Sequence, residues 1–119
     1  MIRKARLSHA DTQQVLIQTI DIADTPWTRY CGLMLRRSTP PSYGMLIQPC
    51  RSIHTMWMRM TIDVFFLSRD NIVLGVHTNV RPCRIVFAPR GTLSVLETPA
   101  GQSNMAIGIK LIIDVDKRS

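Results

Sequence analysis

Ile62-Asp63-Val64-Phe65-Phe66-Leu67-Ser68-Arg69-Asp70-Asn71-Ile72-Val73-Leu74-Gly75-Val76-His77-Thr78-Asn79-Val80 carries the plainest structural signal in the chain. Its first six residues form a nearly continuous apolar run rich in β-branched and aromatic side chains, which suits a strand. The next four, Ser68 to Asn71, form a turn in which Asp and Asn side chains bond back to the main chain. Beyond it Ile72, Leu74, Val76, Thr78 and Val80 alternate with Val73, Gly75, His77 and Asn79, the period-2 pattern of a half-buried strand. The stretch predicts a β-hairpin.

Toward the C-terminus, Arg81-Pro82-Cys83-Arg84 turns the chain, residues 85–87 read as a brief strand, and Ala88-Pro89-Arg90-Gly91 turns it again. Residues 93–98 form another strand, 102–107 suit one helical turn, and 111–115 a closing strand. Toward the N-terminus, residues 53–60 alternate. As an unbulged strand they would set His54, Met56, Met58 and Met60 on one face and Thr55, Trp57 and Arg59 on the other. Residues 44–47 are a short apolar strand, and 36–42, with Pro40 and Pro41, are an exposed loop because proline removes ladder donors. Thr25 as cap and Pro26 at the first helical position start a short helix over 27–31, stopped by Gly32. Residues 15–22 are apolar on both faces, as in a strand near the centre of a sheet. Many short strands punctuated by Gly and Pro predict a mainly β fold, a small barrel or sandwich with one or two short helical turns.

A length of 119 residues suits a single domain over 1–119. No apolar run approaches the ~18 residues that cross a bilayer, so no membrane span is expected. The charged opening Met1-Ile2-Arg3-Lys4-Ala5-Arg6 is followed by polar residues 8–14 where a signal peptide needs an apolar segment, so the expected compartment is cytoplasmic. The net charge is +7, carried by twelve Arg against three Lys, and Glu97 is the single glutamate. Arginine forks suit carboxylate or phosphate oxygens, which fits an acidic partner. The basic residues are scattered in ones and twos and aromatics make up 6% of the chain, so nucleic-acid binding, which gathers cations beside stacking rings, is not expected. Cys31, Cys50 and Cys83 fit neither a disulfide framework nor a zinc site and read as three buried thiols. The alternative is a Cys50–Cys83 bridge, since both lie in loops flanked by Pro and Arg.

Four segments in fixed order then carry a resemblance: Arg29-Tyr30-Cys31-Gly32-Leu33-Met34, Gly44-Met45-Leu46-Ile47, Ile53-His54-Thr55-Met56-Trp57-Met58 and Val95-Leu96-Glu97-Thr98-Pro99-Ala100-Gly101. Together they resemble the family filed as domain of unknown function 192, over about residues 15–113. The chain departs from that pattern at Met60-Thr61, at Thr98 and in the tail, which lacks a Gly-Asp turn. The resemblance implies a small β-rich barrel or sandwich and brings no assigned activity, cofactor or catalytic residue.

Three functional readings follow from the residues. The first is a non-catalytic binding or accessory domain for a small ligand or protein partner, its pocket walled by Met34, His54, Trp57 and Met58, with Arg29 supplying an anion contact. The second is a small hydrolase or lyase drawing on Arg29, His54, Asp63 and Glu97, with His54 or Glu97 as base; that chemistry requires the groups within hydrogen-bond reach. The bland counterpart pairs buried Asp63 and Glu97 with Arg29 or Arg59. The third is copper(I) binding by His54, Met56, Met58 and Met60, whose imidazole and thioethers suit a soft ion, against plain core packing by methionine. Cys31 closes a short helix rather than opening one, so nothing there lowers its thiol pKa. No Gly-x-Ser-x-Gly, Walker or dinucleotide fingerprint occurs, and no cofactor is expected.

Overall fold

A computed structural model of the chain describes residues 3–33, 38–50, 52–54 and 58–116. Among them, strands and one helix run in the order β1 (Arg3–His9), β2 (Val15–Ala23), α1 (Pro26–Cys31), β3 (Tyr43–Ile47), β4 (Ser52–His54), β5 (Ile62–Ser68), β6 (Val73–Val80), β7 (Ile85–Phe87), β8 (Thr92–Pro99) and β9 (Leu111–Val115). Seven strands form one sheet in the order β6-β5-β8-β3-β2-β1-β9, and β4 pairs with β7 in a second. The β2–β3 pair is parallel, and α1 lies on the crossover between them, as a parallel connection requires.

The large sheet curls into a half-barrel whose outer strands meet at one end. Ile72 and Lys110 form an isolated bridge there. The Val73 N–H donates to the Ile109 carbonyl and the Leu111 N–H to that of Asn71, both at 2.9 Å. These bonds give partners to backbone groups that an open sheet edge would expose.

Apolar runs without alternation arise because the central strands are covered on both faces. In β5, Ile62, Val64 and Phe66 join one core with Tyr43, Met45, Ile47 and Val95, while Phe65 and Leu67 join a second with Leu7, Ile17, Ile20 and Leu96. The first core also takes in Leu33, Ile53, Met58 and Val86, so α1 and the β4–β7 pair roof that face. Gly44 allows the second core to close: a methyl there would lie 2.9 Å from Ile20 Cδ1 and 3.2 Å from Leu96 Cδ1.

Four expectations need correction. The opening segment, to which the sequence reading assigned no element, is strand β1, in which Ala5 and Leu7 are buried and Arg3, Lys4 and Arg6 exposed. In β6 the burial does not alternate; Val73 and Val80 are buried and residues 77–79 exposed, because β6 is an edge strand whose pairing with β5 is broken by two register shifts. Of the strand expected over 53–60, Ile53 and His54 lie in β4, residues 55–57 lie outside the described residues, and Met58 to Met60 pair with no strand. The partner of β4, β7, offers a ladder of three residues, preceded by Cys83 at φ +64°. Residues 102–107 form an irregular loop rather than a helical turn, and the Gln102 amide there bonds both the N–H and the carbonyl of Tyr43, at 3.0 and 2.7 Å. The three cysteines are free, with no Cys50–Cys83 bridge, and none is fully buried: Cys31 and Cys50 are half-buried and Cys83 is exposed.

Candidate functional site

The site begins with α1. Thr25 caps it, accepting from the Thr28 N–H at 3.1 Å while Thr28 Oγ1 accepts from the Thr25 N–H at 3.1 Å. Gly32 ends it at φ +49°, a left-handed backbone that glycine adopts without strain. None of the helix residues is buried, so α1 is held by its ends and by Arg29, whose guanidinium donates to the Thr25 carbonyl at 3.4 Å and to that of Pro49 at 3.2 Å.

Gly32 and Leu33 bring the end of α1 onto β8. Glu97 lies across from Met45 on β3 and from Val64 on β5, and so faces the core that α1 roofs. A methyl on Gly32 would stand 2.9 Å from Glu97 Oε1. Glu97 is 3% exposed, and its Oε1 has no hydrogen-bond partner among the described residues. Burial pushes its pKa up to about 7, with the Leu33 backbone hydrogen bond pulling the other way.

His54 ends β4. Its ring centroid is 5.2 Å from that of Tyr30, tilted by 49°, and its Nδ1 is buried with no hydrogen-bond partner among the described residues. Cys50 donates its thiol hydrogen to the Ser52 carbonyl at 2.9 Å. Burial raises its pKa; nearby Glu97 adds to the rise and Arg29 opposes it.

These groups surround one pocket of about 240 Å³. Arg29, Tyr30, Cys31, Gly32 and Leu33 line it from α1 and its exit, Ile47, Pro49 and Cys50 from β3 onward, Ser52, Ile53 and His54 from β4, with Met58 and Glu97 completing the wall. Of the residues singled out from sequence, Arg29, His54, Met58 and Glu97 meet here. Met34, Met56 and Trp57 lie outside the described residues, and Met60 packs half-buried against the core.

Asp63 does not join them. It lies opposite Thr98, one residue out of step with the Val64–Glu97 pair, and so faces the other side of the sheet. It does not pair with Arg29 or Arg59 as expected. Its Oδ1 accepts from the Asn79 N–H at 2.9 Å and its Oδ2 from the Gly101 N–H at 3.0 Å. Both donors belong to left-handed residues, at φ +56° and +79°, so Asp63 ties the end of β6 to the turn that follows β8 and does not line the pocket. Glu97, also expected to pair with an arginine, has no ion pair among the described residues. No three His, Cys, Asp or Glu side chains among the described residues are grouped so as to hold a metal ion, and no helix among them is long and apolar enough to cross a membrane.

Sequence reasoning set aside Cys31 and Cys50 and gave Tyr30 no role, yet all three line the pocket. Cys50, four residues before His54 on the approach to β4, was the available signal.

Comparison with known proteins places relatives beside this geometry. The model of the family DUF192, described as an uncharacterized ACR, matches residues 6–111. A UPF0127 protein of Thermococcus sibiricus is 34% identical over 88 residues, covering 69% of this chain and 55% of that protein, so the chain matches little more than half the length of that relative. A UPF0127 protein of Pyrococcus abyssi is also 34% identical over 88 residues, covering 69% of this chain and 72% of its own. A Sinorhizobium meliloti protein proposed as a transcription regulator superimposes with a TM-score of 0.81 at 25% identity, over 95% of this chain and 94% of its own. A Novosphingobium aromaticivorans protein of unknown function superimposes with a TM-score of 0.78 at 22% identity, over 93% and 84%. The second of these, at that identity, speaks for the fold alone.

Proposed function

We propose, for a chain that belongs to the DUF192 family, a non-catalytic binding or accessory role in which the pocket between α1, β4 and β8 takes a small ligand. The observation that carries this reading is the pair of buried polar atoms, Glu97 Oε1 and His54 Nδ1, left without partners among the described residues on side chains that wall the same cavity. Buried polar groups are ordinarily hydrogen-bonded, and leaving one unpaired costs ~1–3 kcal/mol, so two in one wall favour a partner from outside the fold. The volume suits a modest ligand, since a cavity of roughly 150 Å³ already accommodates benzene. Around the mouth, Trp27 and Tyr30 are 72% and 56% exposed. On the β4–β7 pair, Ile85 and Phe87 lie opposite His54 and Ser52 and are 64% and 75% exposed. Exposed apolar side chains rimming a cavity suit a ligand or partner that continues beyond it.

A thermal-shift screen of varied small molecules tests the reading. A compound present at 100 times its dissociation constant adds ~2.7 kcal/mol of stability. At least one compound is expected to stabilise the protein, with the gain lost in Glu97→Gln and His54→Ala. Stabilisation that survives both replacements would refute the assignment.

Acid/base chemistry is a second reading, favoured by one observation: Glu97, at about 7, sits where a general acid or base works best at neutral pH. Asp63 has no place in it, so the candidates narrow to Glu97 and His54. Turnover of activated esters with a pH inflection near 7 that vanishes in Glu97→Gln would support it; rates equal in the two proteins would sink it. A role in transcription, as proposed for the Sinorhizobium protein, draws little support from arginines scattered in ones and twos along this chain.

A further inference from the structure

We infer that the ligand of this pocket is a small organic cation, a primary ammonium on a short apolar stem, with its charged end directed at Glu97 and His54. The inference rests on the binding reading above and names the class of ligand within it. The two unpartnered atoms set the chemistry. A carboxylate oxygen accepts, and an imidazole Nδ1 accepts whenever the ring hydrogen sits on Nε2. Two acceptors in one wall call for a donor with several N–H bonds, and an ammonium carries three. A carboxylate or phosphate ligand would instead bring more acceptors, and a like charge, against a buried carboxyl that has no ion pair among the described residues.

The remaining walls agree. Leu33, Ile47, Ile53 and Met58 supply apolar surface for a stem. Among the lining residues Arg29 is the fixed positive charge, and it stands at the rim, its guanidinium engaged by the Thr25 and Pro49 carbonyls. Its charge is felt by Cys50, whereas Glu97 shows no such influence.

The titratable and charged groups facing the cavity are Arg29, Tyr30 and Cys31 from α1, Cys50 from the segment after β3, His54 from β4 and Glu97 from β8. An alkylammonium stays charged to about pH 10, so its affinity follows the ionised fraction of Glu97. With a midpoint of about 7, that fraction rises about tenfold from pH 6 to pH 8, and apparent affinity rises in proportion. The Cys50 thiol, pushed up by burial, remains neutral through this window.

The test is calorimetric titration of the full chain with n-butylammonium, butyrate and n-butanol at pH 6, 7 and 8, using wild type, Glu97→Gln and Glu97→Asp. The expected result is preference for butylammonium, with a dissociation constant falling about tenfold across the series. Folded Glu97→Gln should lose the pH dependence and bind at least tenfold more weakly, and Glu97→Asp should retain the pH trend. The wild-type profile stands even where a variant fails to fold. Equal or tighter binding of butyrate or butanol, affinity that rises toward acid, or binding by none of the three overturns the cation assignment. The binding reading itself falls when the wider thermal-shift screen is negative as well.

Discussion

Replacing Glu97 with Gln should alter the pH dependence of stability more than stability at acid pH. Burial raises this carboxyl from its ordinary 4.5 to about 7 in the folded protein, while the unfolded chain keeps the ordinary value. Between those two values the folded state holds a proton that the unfolded state has released, so rising pH favours unfolding. Below 4.5 both states are protonated and no penalty applies; above 7 both are ionised and the penalty is complete. The window spans about 2.5 pH units at ~1.4 kcal/mol each, which gives ~3 kcal/mol. Glutamine is neutral throughout and escapes this loss. Urea denaturation of both proteins from pH 4.5 to 8.5 reads the effect directly. The difference in unfolding free energy should move in favour of the variant by ~3 kcal/mol, most of it between pH 5 and 7. Two curves that run parallel over the whole range would refute the reasoning.

Other perturbations separate the pocket from the scaffold. Asp63→Ala removes the acceptor for the Asn79 and Gly101 N–H groups and should cost ~2–4 kcal/mol in denaturant melts, with the Glu97 titration unmoved. Gly32→Ala places a methyl 2.9 Å from Glu97 Oε1 at a backbone of φ +49°; a loss of ~1–3 kcal/mol is expected, together with a shift in the Glu97 midpoint, and a neutral outcome would contradict the packing. In timed iodoacetamide labelling read by mass spectrometry, exposed Cys83 should react before half-buried Cys50, and Cys50 should react faster once Glu97→Gln removes the carboxylate that raises its pKa.

Much of the fold was legible because local chemistry and tertiary placement agree. Thr25, Pro26 and Gly32 punctuate α1 where capping rules put them, and the apolar run of β5 reflects cores on both of its faces. Elements were misread where a partner far along the chain decided the outcome. β1 is a strand because β2 and β9 flank it, although Arg3, Lys4 and Arg6 mask the buried Ala5 and Leu7. Residues 102–107 are held by one side-chain amide clasping Tyr43, which no periodicity announces. The site was half visible for the same reason: Arg29, His54 and Glu97 stood out by type, but the side of the sheet that Asp63 faces depends on its register with β8.

A desolvated carboxyl in the pocket wall underlies the binding reading, and the chain offers a direct view of it, because Glu97 is its single glutamate. Labelling with [δ-13C]glutamate gives one side-chain carboxyl resonance to follow through a pH titration. A midpoint near 7, moving toward acid when butylammonium is added, is the predicted result. A midpoint near the ordinary 4.5 would show Glu97 to be solvated or paired, and would contradict the pocket as described.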